Sequence, residues 1–329
     1  MRMSSLPADC YVTGMRHPSG ISRIDITLHS PYNKTEGGFY ARPSYLYSFG
    51  RFRMYPIVSK KALNPTVTRM DVYAPLIARK AEPGQFVILR VNEDGERIPL
   101  TVADTDRDKG LVTIIFQIVG AATQLLNAKQ AGDALPDFAG PLGLPTHTEG
   151  IKKAAVIGGG VGCAIAYPVA KKLHEQGAKV HAVTGFRSQD LVILQDEFSS
   201  ASDKLILMTD DGSAGQKGLV TNALQTLIDE GNQYDLIITI GPLIMMKYVC
   251  ELTRPYGIPT LASMNSIMID GTGMCGCCRL TVGGKTKFAC VDGPDFDGHL
   301  IDFDESMARA AMYLDFERAA HTHVCKLLG

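Results

Sequence analysis

Hydrophobic and polar positions alternate in two different ways along this chain. From 54 to about 148, short β-rich runs at Val67–Tyr73, Phe86–Arg90, 97–103 and Leu111–Gln117 are separated by turn signals such as Pro83-Gly84 and Glu93-Asp94-Gly95. Several such strands in so short a stretch predict a small antiparallel β-barrel, with 122–131 as its one clear helical insert. From about 152 to 265, short buried-type runs at 154–157, 180–184, Lys204–Thr209, Leu236–Ile240 and 259–262 alternate with helical sequence. Val220, Ala223, Leu224, Leu227 and Ile228 follow i, i+3, i+4, i+7, i+8, the stripe of a helix lying on a sheet. Strand–helix alternation of this kind predicts a doubly wound parallel sheet. The fold class expected is therefore a β-barrel plus an α/β domain, with 266–329 as a small cysteine-bearing module closed by a helix over 302–328.

Residues 1–53 break both patterns. They are rich in Ser, Pro, Tyr and Arg and hold no apolar periodicity, so a disordered extension is expected. Met54, directly before patterned sequence, could be the natural start. A basic arm or targeting peptide is the alternative, since Arg2, Arg16, Arg23, Arg42, Arg51 and Arg53 outnumber Asp9, Asp25 and Glu36.

Composition narrows the class. The chain has 329 residues, 45% hydrophobic and 20% charged, with a formal net charge of −1. Nothing there draws it to nucleic acid or an anionic membrane. No apolar run reaches the roughly 18 residues of a membrane span. Residues 1–30 lack the continuous apolar core of a signal peptide, so a cytoplasmic, reducing location is expected.

Four of the eight cysteines, Cys275, Cys277, Cys278 and Cys290, fall within sixteen residues. Cys10, Cys163, Cys250 and Cys325 read as ordinary cysteines. Cys275 and Cys278 form a C-x2-C pair in a glycine-rich loop, which lets backbone fold tightly around an inorganic centre and point N–H groups at it. Three thiolates and a carboxylate suffice for a 2Fe-2S cluster. Structural zinc is the competing reading, though zinc sites usually show two Cys/His pairs. The fourth ligand is open between Asp270, at the x4 spacing before Cys275, and Cys277, which directly precedes Cys278.

Ile157-Gly158-Gly159-Gly160-Val161-Gly162 follows a strand and opens a helix, the setting for a dinucleotide pyrophosphate. Pro168 is expected to be tolerable only near the first turn of that helix. Thr209-Asp210-Asp211-Gly212-Ser213 ends the third strand of the sheet. Asp211 there suits ribose hydroxyls and disfavours a 2′-phosphate, while Arg187 points the other way. In the barrel, Arg97-Ile98-Pro99-Leu100-Thr101 can pair a phosphate and hydrogen-bond a flavin edge. Gly120 to Thr123 offers backbone N–H groups to the same pyrophosphate.

This combination of R-I-P-L-T, G-G-G-V-G and C-x2-C-x11-C resembles the ferredoxin–NADP reductase superfamily. Within it the chain is similar to the dihydroorotate dehydrogenase electron-transfer subunits, and more closely to the small subunits of NADH-dependent reduced ferredoxin:NADP+ oxidoreductases. The resemblance rests on Pro83-Gly-Gln-Phe-Val, Glu96 to Thr101, Gly140-Pro-Leu-Gly143, Gly158 to Gly162, Thr209 to Ser213, Gly241-Pro242 and Asp270 to Arg279. It implies an oxidoreductase subunit with FAD on Arg97, Pro99, Leu100, Thr101, Gly120 and Thr123. It implies NAD(H) on Gly158, Gly159, Gly160, Gly162, Asp211, Gly241 and Pro242, and a 2Fe-2S cluster on Asp270, Cys275, Cys278 and Cys290. Aspartate as first ligand is what separates this subgroup from the four-cysteine dihydroorotate type. Ala121 departs from the lysine common in the flavin loop of dihydroorotate-type relatives. Hydride transfer needs no side-chain acid or base, so no catalytic side chain is expected. The implied partner is a larger FAD/4Fe-4S flavoprotein subunit that reaches ferredoxin by electron bifurcation. The alternatives are an electron-transfer subunit for a dihydroorotate dehydrogenase and, from another class, a zinc-stabilised nucleotide-binding regulator.

Overall fold

The computed structural model describes residues 12–16, 22–26 and 54–328. The chain divides into two units, Met1–Gly50 and Arg51–Gly329. In the first, strands β1 (Val12–Arg16) and β2 (Ser22–Ile26) pair antiparallel, a local order that the composition did not suggest. The rest of the expected extension lies outside the described residues.

The second unit begins with β3 (Tyr55–Asn64) and β4 (Val67–Tyr73), a short α1 (Pro75–Ala78), then β5 (Phe86–Arg90), β6 (Ile98–Asp106) and β7 (Leu111–Gln117). Helix α2 (Ala121–Ala128) and strands β8 (Ala134–Leu135) and β9 (Asp137–Leu142) complete it. These strands form a nearly closed antiparallel barrel in the order β8-β3-β4-β7-β6-β5-β9. Alternating inward residues fill it: Ile57, Met70, Val72, Val87, Leu89, Val112, Ile114, Phe116 and Phe138 make one buried core.

The parallel sheet uses β10 (Lys153–Gly159), α3 (Gly162–Glu175), β11 (Lys179–Phe186), α4 (Gln195–Ser200), β12 (Lys204–Thr209) and the two-residue β13 (Gln216–Lys217). It continues through α5 (Val220–Asp229), β14 (Leu236–Ile240), α6 (Leu243–Thr253) and β15 (Thr260–Ser263). The order is β13-β12-β11-β10-β14-β15, so the winding reverses between β10 and β14. Such a switch point opens a crevice beyond the strands' carboxyl ends.

The cysteine loop leads into the hairpin β16 (Arg279–Val282) and β17 (Lys285–Phe288), one turn of helix α7 (Ala289–Asp292), and β18 (Asp295–Asp297). β18 joins the edge of the parallel sheet antiparallel to β15, so this module shares the sheet's hydrogen bonding. The expected single C-terminal helix is two, α8 (Phe303–Ala310) and α9 (Leu314–Leu328). Asp302 caps α8 by accepting the Glu305 N–H at 2.9 Å, and the break follows Ala310.

Pro168 also departs from expectation. It lies in the interior of α3, where it removes one main-chain hydrogen bond. Burial outweighs that loss: Cys163, Ala164, Ala166, Val169, Ala170 and Leu173 are each at most 1% exposed, and α3 is packed against both the sheet and barrel strand β6.

Asp295 joins the modules. Thr146, on the segment leaving the barrel, donates to its Oδ2 at 2.5 Å, and the Ser263 hydroxyl of β15 lies beside it. Its Oδ1 is buried without a well-aligned donor. Burial raises this carboxyl above the usual range, more than its two hydroxyl neighbours lower it. A pKa raised on folding contributes stability at low pH that is lost as pH rises through the folded value. Asp295→Asn should therefore gain thermal stability relative to wild type as pH goes from acid to neutral. Melting curves across that range check it, and a pH-independent difference would show that Asp295 keeps its ordinary pKa.

Candidate functional site: a dinucleotide cleft and a cysteine loop on one scaffold

At the switch point lies a cavity of about 1140 Å³. Its floor is Gly159, Gly160, Val161 and Gly162, where β10 turns into α3, and Gly241-Pro242, where β14 turns into α6. Gly162 is required by close approach. A Cβ there would stand 2.4 Å from the Ile240 carbonyl oxygen and 2.8 Å from the Gly241 Cα. Only glycine lets the start of α3 meet the end of β14, and that meeting sets the helix's first N–H groups at the cavity, where they favour an anion. Gly160 has a φ of +55°, the left-handed turn that redirects the chain. The opposite wall comes from the barrel, with Asn64, Thr66, Val67 and Gln117, and Ser263 at the end of β15 and Asn265 just after it close the cavity.

Several expected nucleotide residues are placed differently. Gly158 is buried behind the wall, where a Cβ would meet the Cys163 Sγ at 2.8 Å. Asp210, not Asp211, lines the main cavity, together with Arg187. Asp211 faces a shallow groove with Ser188, Gln189, Asp190 and Ser213. The Ser213 hydroxyl (2.6 Å) and N–H (2.9 Å) hold the Asp211 carboxyl below its usual range, so it is a fixed negative charge at that edge.

On the barrel, Arg97 directly precedes β6 and reaches Asp137 at 2.8 Å. Arg90, from β5, meets the same carboxylate oxygen at 3.3 Å. Two guanidinium groups on one carboxylate leave an excess positive charge, which suits a diphosphate. Sequence reasoning missed Arg90, because nothing local joins residues 90, 97 and 137. Pro99, Leu100 and Thr101 pair with Ile88, Val87 and Phe86 across β5–β6. The Gly120 N–H is not free for its expected role: with the Val119 N–H it donates to the Thr123 hydroxyl, both at 3.0 Å, so it is used within the loop.

The cysteine loop is built by glycines in left-handed conformations: Gly271 at +74°, Gly273 at +82° and Gly276 at +69°. Asp270 closes the loop by accepting the Thr272 N–H at 2.8 Å and the Cys275 N–H at 2.9 Å, and those bonds hold its carboxyl ionised. Cys278 and Cys290 are 1% and 2% exposed and adjacent, the Cys290 N–H donating to the Cys278 Sγ at 3.4 Å. Cys275 is exposed, and the half-buried Cys277 thiol lies against it. Among the described residues no three His, Cys, Asp or Glu side chains converge as on a single metal ion. A binuclear cluster requires two ligands on each iron instead. The buried pair Cys278/Cys290 and an outer pair around Cys275 fit that demand, and Asp270 is a charged oxygen donor beside the outer pair.

The loop and the segment expected to position the flavin are close neighbours. A Cβ on Gly271 would stand 2.6 Å from the Leu142 Cδ1 and 2.9 Å from the Ile88 Cδ1, and Ile88 is the strand partner of Pro99. Cys278 and Cys290 share one buried core with Phe86 and Ile88 of the barrel and with Met246 and Ala262 beside the dinucleotide cleft.

Comparison with known proteins agrees with this layout. Residues 265–302 match the iron-sulfur cluster binding domain of dihydroorotate dehydrogenase B. The chain is 50% identical over 279 residues to an uncharacterised protein from the adh 3′ region of Clostridium beijerinckii, spanning 82% of this chain and 94% of that protein. It is 45% identical over 273 residues to a homologue of the dihydroorotate dehydrogenase B (NAD(+)) electron-transfer subunit from Thermotoga maritima, spanning 83% and 96%. Among solved structures, one of an NADH-dependent reduced ferredoxin-NADP oxidoreductase, described for flavin-based electron bifurcation, superposes with a TM-score of 0.78 at 44% identity, over 84% of this chain and 99% of that one.

Proposed function

The chain belongs to the family of dihydroorotate dehydrogenase B electron-transfer subunits and their homologues, within the ferredoxin–NADP reductase superfamily, and on that premise we propose that it serves an electron-bifurcating NADH-dependent ferredoxin:NADP+ oxidoreductase. It is an oxidoreductase subunit, an electron-transfer flavoprotein with a 2Fe-2S domain. FAD and the cluster, when bound, convert a hydride from NADH into single electrons.

The protein's own residues bind and align. Gly159, Gly160, Gly162, Gly241 and Pro242 receive the NAD(H) pyrophosphate on the α3 N-terminus. Asp210 and the fixed charge of Asp211 disfavour a 2′-phosphate, against the positive charges of Arg187 and Lys217 at that edge. Arg97 and Arg90 take the FAD diphosphate, and Pro99 to Thr101 position the flavin. Asp270, Cys275, Cys278 and Cys290 hold the cluster. The observation that carries the reading is the seating of Gly271 on Ile88, the partner of Pro99, which puts the cluster loop one strand from the flavin segment.

Electron-transfer subunits serve a larger catalytic partner, and this partner is proposed to be a FAD/4Fe-4S flavoprotein that reacts with ferredoxin. No helix among the described residues is long and apolar enough to cross a membrane. A cytoplasmic location is part of the proposal. The Thermotoga maritima relative, a homologue of the dihydroorotate dehydrogenase B electron-transfer subunit, supports a second reading, a dihydroorotate dehydrogenase partner. Anaerobic purification and pull-down from native lysate separate the two. The expected result is flavin absorbance, iron and acid-labile sulfide, an EPR signal after reduction with NADH, and a co-purifying 4Fe-4S flavoprotein. Recovery of a dihydroorotate dehydrogenase catalytic subunit would overturn the bifurcation reading, and a protein without iron and sulfide would overturn the cluster.

A further inference from the structure

Three potential ligands crowd the exposed side of the cysteine loop. Asp270 and Cys275 are joined by the 2.9 Å hydrogen bond from the Cys275 N–H. The Cys277 thiol lies against Cys275, because Gly276, at a φ of +69°, turns the chain back between them. Its backbone is also pinned: Arg309 of α8 donates to the Cys277 carbonyl at 3.1 Å. On the buried side, Cys278 and Cys290 are paired with each other; Cys250 shares their core but packs against Gly298, and Cys163 lies in the core around α3. The loop itself therefore offers the inner pair no substitute, whereas the outer pair has three side chains for two positions.

We propose that Cys277 is a resident alternative ligand, able to take the place of Asp270 beside Cys275, so that one loop supports two ligand sets. The inference rests on the reading of residues 270–290 as a 2Fe-2S loop. In the exchange the Fe–O bond to Asp270 is absent or broken, an Fe–S bond to Cys277 forms, and the thiol proton passes to solvent. No electron changes hands. A thiolate donates more charge to iron than a carboxylate does, so the all-cysteine set has the lower reduction potential. Asp270 is the ligand in the unaltered chain because both its oxygens are already oriented by loop N–H groups, while the Cys277 thiol is engaged with Cys275.

The test uses the full chain, purified anaerobically and reconstituted with iron and sulfide, as wild type, Asp270→Ala, Cys277→Ala and the double variant. Iron and sulfide content, EPR spectrum and midpoint potential are read, with flavin content reporting the fold. Asp270→Ala should keep wild-type iron and sulfide with a changed EPR spectrum and a lower potential, and the double variant should lose at least about tenfold in iron. Cys277→Ala should match wild type.

Iodoacetamide labelling mapped by mass spectrometry gives an independent readout that does not need the double variant to fold. Cys277 should be alkylated in wild type and protected in Asp270→Ala. Loss of the cluster from Asp270→Ala alone, or Cys277 alkylated there while iron is retained, would overturn the proposal. A cluster in the double variant would do the same. Absence of iron and sulfide from reconstituted wild type would instead overturn the cluster reading itself. Loss of the cluster from Cys277→Ala would make Cys277 the ordinary ligand, overturning both the proposal and the Asp270 assignment.

Discussion

Cys278→Ala should strip the protein of its iron–sulfur cluster and leave the flavin in place. Cys278 is 1% exposed and its sulfur accepts the Cys290 N–H, so alanine removes both a proposed ligand and a packed atom. Cys277 should not stand in, because its half-buried thiol is engaged with Cys275 while the Cys278 position is fully buried. The expected readout is loss of iron, acid-labile sulfide and the EPR signal, with flavin content near wild type. Flavin should survive because its segment is held by the β5–β6 ladder and the Arg97–Asp137 pair, which the substitution does not touch. Thermal stability should also fall, by roughly 2–4 °C for each kcal/mol lost. Cys163→Ala is the control, a fully buried cysteine in the core around α3 that should cost stability without costing iron. A Cys278→Ala protein with the wild-type cluster signal would remove Cys278 from the ligand set.

Gly162→Val should strongly weaken NADH binding. The first added carbon meets the Ile240 carbonyl at 2.4 Å and the Gly241 backbone at 2.8 Å, neither of which can turn aside as a flexible side chain would. Overpacking of this kind costs about 1–3 kcal/mol. Here it is relieved by separating α3 from β14, the two elements whose ends make the floor proposed for the pyrophosphate. Affinity should fall by about 10- to 100-fold, where each 1.4 kcal/mol is tenfold. Flavin reduction by NADH in a stopped-flow instrument measures it, with chemical reduction by dithionite showing that flavin and cluster remain competent. Unchanged reduction at low NADH would mean that the nucleotide does not use this turn.

Much of the fold was legible because its signals are local. Val67–Tyr73, Phe86–Arg90, Leu111–Gln117, Lys204–Thr209 and Leu236–Ile240 were read with their observed ends. A strand's alternation or apolar run is contained in its own residues, and Gly or Pro punctuates it. β9 and β18 were missed for the opposite reason. Asp137–Leu142 and Asp295–Asp297 have little pattern of their own and become strands through partners far away in sequence, β5 and β15. Pro168 misled the reading of α3 because a local penalty was weighed without the burial on two sides that overrides it.

For the site, the sequence by itself determined which chemistry is present. Glycines at 158–162 and cysteines at 275, 278 and 290 are informative through spacing alone, because a phosphate turn and a cluster loop are each made within one short segment. What only the tertiary structure decided is which groups meet. It set Asp210 rather than Asp211 on the cavity wall, brought Arg90 to Arg97 through Asp137, and seated Gly271 on Ile88. Those meetings depend on strand register and on the close approach of separate elements. A one-residue difference in register sends a side chain to the opposite face, and no spacing within a single segment records that choice.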